Sequence, residues 1–116
     1  MKLQDIRTLI QKNDYLTAEH QLRDRLSKNP DDIKACELAM LVFELTNQNE
    51  KTEKMIKKIL TTDPHHYAAL CTQAKLQFEK NKSDKALKSL ELAIKCYPEN
   101  SYAYSIRGNH YQFNKK

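Results

Sequence analysis

A chain of 116 residues carrying a formal charge of +5 is long enough for one small domain with a modest core. Its single glycine and three prolines supply too few turn residues for a β-rich fold, while the abundant Lys, Leu, Ala, Glu and Gln favour helix. No apolar run is long enough to span a bilayer, and Asp5 and Arg7 fall where a signal peptide would need an apolar centre. Three cysteines, odd in number and without a CxxC pair, read as the reduced thiols of a cytoplasmic protein.

Amphipathic spacing predicts an all-α chain of seven helices. The first runs over about 2–12 and ends at the polar turn "QKND". The second, about 15–28, runs out at Pro30. Proline at a helix start loses no hydrogen bond, and Asp31 and Asp32 suit the positive end of the helix dipole, so the third helix is expected at 31–46. "TNQN" separates it from a fourth at 49–61, which stops before Pro64. The fifth, 65–80, begins beside Asp63 and ends at "EKNKSD". The sixth, 83–96, leads to Pro98, and the seventh, 99–114, begins beside Glu99 and carries an aromatic-rich run around Gly108.

Pro30, Pro64 and Pro98 are 34 residues apart. The residue twelve before each is small (Ala18, Thr52, Ala86), and the residue eight before is aliphatic (Leu22, Ile56, Leu90). Tyr104, Gly108 and Tyr111 share one face of the last helix. On these residues the chain resembles the tetratricopeptide repeat (TPR) family, which has an aromatic, Leu-Gly and Tyr on a first helix and Ala, a bulky apolar residue and Pro on a second. Tyr104, Gly108 and Tyr111 match the first-helix half, with Arg107 in place of the usual Leu. Ala86, Leu90, Ala93 and Pro98 match the second half, and Tyr15 and Ala18 match the turn and second-helix start.

The resemblance implies a right-handed solenoid of antiparallel helix pairs in a single domain. Its repeats would be about 1–30, 31–64 and 65–98, with a half repeat at 99–116. Leu22, Leu26, Leu70, Leu76, Leu87, Leu90 and Ile94 are expected in the shared core, with Ala74, Ala86 and Ala93 at close helix approaches. The middle repeat departs from the pattern at Met40, Thr52 and Ile59. Gln73 and Gln77 stand where apolar residues are expected and need hydrogen-bond partners.

The residues offer no catalytic constellation, and neither a metal site nor a cofactor is expected. His65 and His66 diverge by about 100° on a helix and read as exposed helix-start residues, while His20 and His110 are isolated. Cys36, Cys71 and Cys96 read as packed or half-buried thiols, and one glycine cannot make a phosphate loop. Lysines crowd the second-type helices (Lys51, Lys54, Lys57, Lys58; Lys82, Lys85, Lys88), apart from the aromatics of the first-type helices. That separation disfavours nucleic acid, which would want stacking partners beside the cations.

The resemblance further implies a concave surface lined by first-type helices that holds a peptide or partner segment. The transferred lining positions are Leu3, Arg7 and Ile10; Lys34, Glu37, Leu41 and Glu44; Ala68, Cys71, Lys75 and Phe78; and Tyr102, Ser105, Asn109 and Gln112. Their charges nearly balance, with Leu41, Phe78 and Tyr102 as apolar anchors, which fits a protein segment better than a polyanion. The clamp by which some members grip acidic chaperone tails is not matched: Leu3, Leu38, Ala68 and Thr72 stand at four of its positions, and Arg7 alone is basic. The expected function is a non-catalytic adaptor or scaffold. The alternatives are an accessory or substrate-recruiting part of an enzyme complex and a small secretion-type chaperone. Tyr104, Tyr111 and Phe113 mark a possible second interface for self-association or for a following helix in a longer array.

Overall fold

The computed structural model describes the chain from residue 2 to residue 114, with side chains described through Asn109. Seven helices lie in this span: α1 (Leu3–Gln11), α2 (Tyr15–Lys28), α3 (Ile33–Leu45), α4 (Asn49–Thr62), α5 (Tyr67–Glu79), α6 (Ser83–Cys96) and α7 (Tyr102–Asn114). No strand occurs among the described residues.

Two kinds of turn alternate, and each has a local cause. α1, α3 and α5 end on Asn13, Asn47 and Asn81, which hold φ of 63°, 58° and 61°. Asparagine tolerates this left-handed conformation better than most residues with a Cβ. Each asparagine N–H donates to the carbonyl three residues back (Ile10, Glu44, Phe78), and the next N–H donates to the carbonyl five back (Leu9, Phe43, Gln77). These paired bonds make a Schellman motif. The residue that completes it also starts the next helix, since the carbonyls of Asp14, Gln48 and Lys82 accept from Ala18, Thr52 and Ala86. The reversal inside each helix pair therefore needs almost no loop.

Between pairs the prolines act differently from expectation. They do not open the next helix. The N–H groups of Asp32, His66 and Asn100 donate to the carbonyls of Asn29, Asp63 and Tyr97, which puts Pro30, Pro64 and Pro98 second in a four-residue β-turn. Proline's fixed φ suits that place. α3, α5 and α7 consequently begin two to three residues later than their expected starts, at Ile33, Tyr67 and Tyr102. Asp32 and His66 become the caps of α3 and α5: the Asp32 carboxylate accepts from the Ala35 N–H at 3.2 Å, and His66 Nδ1 accepts from the Ala69 N–H at 3.2 Å.

The chain forms two compact units, residues 1–59 and 60–116. In the first, α1, α2 and α3 enclose a core of Ile6, Ala18, Leu22, Ala35, Leu38, Ala39 and Val42, against which Leu26, Phe43 and Met55 pack. The Arg25 guanidinium bonds the Asp32 carboxylate at 3.0 Å, tying the end of α2 to the start of α3. In the second unit, α5, α6 and α7 enclose Leu70, Cys71, Ala74, Ala86, Leu90, Ala93, Ala103 and Ile106. Ala74, Ala86 and Ala93 are wholly buried, as the close approach of paired helices requires. Leu22, Leu70, Leu76 and Leu90 are buried, while Leu26, Leu87 and Ile94 lie at the core margins, half-buried.

The polar departures are satisfied locally. Thr52, wholly buried, donates its hydroxyl to the Gln48 carbonyl at 3.0 Å. Ser89 Oγ lies 3.1 Å from Oε1 of both Gln73 and Gln77. A hydroxyl has one proton to give, and the Lys85 carbonyl at 3.2 Å competes for it, so Ser89 donates to one of these three oxygens and otherwise pairs with a glutamine by accepting from its amide when that group is turned.

Candidate functional site

In the unit of residues 60–116, α5 and α7 present a shared face built from two first-type helices. The transferred positions Lys75 and Tyr102 meet there: Lys75 Nζ donates to the Tyr102 hydroxyl at 2.6 Å and lies 5.2 Å from its ring centroid. Tyr102 remains 44% exposed, so the pair is an ordered cation beside an accessible ring. Ala68, Ser105 and Asn109 are exposed on the same helices. Phe78 is half-buried and packs against the core, so part of its ring is committed to the fold.

Cys71 departs from its assigned lining role. It is wholly buried among Leu70, Ala74 and their neighbours, and burial pushes its thiol up, away from the reactive thiolate. Cys36 is likewise buried with its thiol pushed up by desolvation. Tyr67, on the same side of α5, clamps the start of α7: its hydroxyl accepts from the Ala103 N–H at 2.8 Å and donates to the Asn100 carbonyl at 3.4 Å. Its ring meets Tyr97 edge-on, with centroids 5.4 Å apart. That clamp holds Tyr102 at the right height for Lys75.

In the unit of residues 1–59, Arg7 and Lys34 are exposed, Glu37 and Glu44 are half-buried, and Leu41 is 37% exposed. Leu45, one turn beyond Leu41, is 46% exposed and was not among the sequence-derived lining residues. Its spacing of four from Leu41 was the signal that could have found it. The two leucines make an apolar ridge on α3.

The side chains of Gln112, Tyr111 and Phe113 lie outside the described residues, as does that of His110. His20 and His65 are exposed, while His66 is half-buried as a helix cap and departs from the exposed residue expected. The second-helix lysines are mostly exposed, but Lys51 does meet an aromatic: its Nζ lies 5.7 Å from the Phe43 centroid. Phe43 is half-buried and packs against the core, so part of its ring is committed to the fold. Among the described residues no group of three His, Cys, Asp or Glu could hold a metal ion, and no helix is long and apolar enough to cross a membrane.

No protein-family model matches the chain, and no curated protein matches it. Solved structures do. A MamA mutant superposes with a TM-score of 0.73 at 13% identity, over 90% of this chain and 60% of its own. PilF of Pseudomonas aeruginosa superposes with a TM-score of 0.79 at 22% identity, over 97% of this chain and 52% of its own. The chain thus spans about half to three fifths of these two structures, both of which are TPR proteins. At such low identity the likeness establishes fold, and the chain has an all-α helical-repeat fold of the TPR solenoid class.

Proposed function

We propose that the chain is a non-catalytic protein-interaction module, a cytoplasmic adaptor or scaffold acting as one TPR-like domain over residues 1–116. Its ligand would be a peptide or partner segment held on the face lined by its first-type helices. The observation that supports this reading is the Lys75–Tyr102 pair, an exposed aromatic held in place by a cation at 2.6 Å. A pre-ordered aromatic loses little freedom on binding and acts as an anchor. Asn109 and Ser105 on α7 add hydrogen-bonding groups suited to an extended backbone. In the unit of residues 1–59, taken by itself, Arg7, Lys34, Glu37, Leu41 and Glu44 would be the lining residues of α1 and α3.

Crosslinking from Lys75 in native lysate identifies the segment, and affinity measurements then test the site. Tyr102→Ala is expected to weaken that partner by about 1–3 kcal/mol, as for an aromatic hot spot. Lys54→Glu with Lys57→Glu on α4 should leave the affinity nearly unchanged. Equal losses from both changes overturn the reading. Phe78→Ala is the poorer probe, because Phe78 also packs the core.

A further inference from the structure

The starts of α3, α5 and α7 stand one period apart, and the third is held differently. Asp32 caps α3 through the Ala35 N–H, and His66 caps α5 through the Ala69 N–H. The corresponding residues of α7 are Asn100 and Ala103. Asparagine caps a helix about as well as aspartate, yet the Asn100 side-chain oxygen accepts from the Tyr102 N–H at 3.2 Å. The Ala103 N–H goes to the Tyr67 hydroxyl, 2.8 Å away on α5. α7 accordingly begins at Tyr102, one residue later than the starts of α3 and α5 at Ile33 and Tyr67 would place it.

We infer that α7 has two alternative caps, and that the Tyr67 hydroxyl selects the one that assembles the Lys75–Tyr102 pair. In the selected arrangement one hydroxyl brackets Tyr102 along the chain. It donates to the Asn100 carbonyl at 3.4 Å on one side and accepts from the Ala103 N–H on the other. The Asn100 side chain holds the Tyr102 N–H between them. With its backbone fixed in this way, the Tyr102 hydroxyl accepts from Lys75 Nζ at 2.6 Å. Tyr67 and Lys75 lie about two turns apart on α5, so one helix sets the start of α7 at two points.

In the other arrangement the Asn100 oxygen takes the Ala103 N–H, as Asp32 and His66 do in their own helices. Ala103 is wholly buried, and an N–H buried without an acceptor is costly, so one of the two caps must be made. The Tyr102 N–H then loses the Asn100 oxygen, the helix starts one residue earlier, and Tyr102 is carried out of register with Lys75. The counterpart of Tyr67 one period earlier is Ile33, which has no hydroxyl to offer. Tyr67 is thus a positioning residue, and the anchoring role of the pair it positions rests on the function proposed above.

The test compares the full chain with Tyr67→Phe, Asn100→Ala and the two changes combined. Phenylalanine keeps the ring that meets Tyr97 edge-on and removes only the hydroxyl. Nuclear magnetic resonance reads two quantities: amide exchange at Ala103, and the nuclear Overhauser contact between the Lys75 side chain and the Tyr102 ring. Each single change should leave Ala103 exchange within roughly threefold of the parent, because the other cap remains, and the combined change should speed it by roughly tenfold or more. Exchange in 83–96 should stay at the parent rate. The Lys75–Tyr102 contact should survive Asn100→Ala and disappear in Tyr67→Phe. Three results would overturn the inference. One is Ala103 exchanging as fast in Tyr67→Phe as in the combined variant, which would mean that no second cap exists. Another is a Lys75–Tyr102 contact that persists in Tyr67→Phe. The third is faster exchange throughout α5 and α6 in Tyr67→Phe, which would make the hydroxyl a support of the whole unit. No ligand enters this experiment, so its failure is distinct from failure of the partner reading, which the Lys75 crosslink decides.

Discussion

Asp32 joins two jobs in one side chain. One oxygen caps α3 at the Ala35 N–H, and the other bonds Arg25 at 3.0 Å. Burial by itself would raise its carboxyl, but the Arg25 hydrogen bond, the Ala35 N–H and the Arg25 charge together hold it below the ordinary value of 3.8. A carboxyl depressed by folding stabilises the native state above its unfolded value, and the contribution fades as pH falls through the folded value. Asp32→Asn should therefore lower the urea midpoint at pH 7, and the gap from the parent should close as the pH falls below about 4. A gap that persists undiminished in acid would show that the ion pair does not matter. Asn47 is a second residue with a specific job. Its φ of 58° is strained for a β-branched side chain, so Asn47→Val is expected to cost about 1–2 kcal/mol, while Asn47→Gly should be close to neutral in the same urea titration.

At the scale of the helix, α5 is capped less well than α3. Asp32 brings a full negative charge to the positive end of α3, whereas His66 brings a ring nitrogen to the corresponding place 34 residues later. His66→Asp should therefore stabilise the chain by about 0.5–1 kcal/mol, through the capping bond and the helix dipole, read as a higher thermal midpoint. An unchanged or lower midpoint would mean that the histidine's other contacts outweigh its weaker cap. The 34-residue period and the polar breaks announced these helices and where the chain turns, but not the turn types, which the asparagines and the prolines set. They misplaced the helix starts by a few residues, because proline suits a β-turn as well as a first helical position. The bond from Ser89 to Gln73 and Gln77 shows the other limit. The need for a partner was legible from two glutamines on an otherwise apolar helix, but the identity of that partner depends on how α6 is rotated against α5.

For the whole molecule, charge is the property to test first. α4 and α6 are both net positive, with mostly exposed lysines that contribute to the +5 excess. Among the described residues, the lysine of these helices that lies over an aromatic is Lys51, and its ring, Phe43, is half-buried against the core. Binding to single-stranded nucleic acid should therefore be weak and blind to sequence, and should collapse between 50 and 200 mM salt, roughly in the manner of pure phosphate neutralisation. Tight binding by anisotropy at the higher salt would move Lys51, Lys54, Lys57 and Lys58 into a functional site. By itself the sequence determined the all-α class, the seven helices and their period. Those follow from proline φ, asparagine in the left-handed region and apolar spacing, all of which act over a few residues. The tertiary structure alone decided which transferred positions look outward. Cys71 and Lys75 are one turn apart on α5, yet one is wholly buried and the other reaches Tyr102. It also decided that the Tyr67 hydroxyl reaches the Ala103 N–H, 36 residues away. Such outcomes depend on the rotation of each helix about its own axis and on its distance from its neighbours, and a repeat period specifies neither.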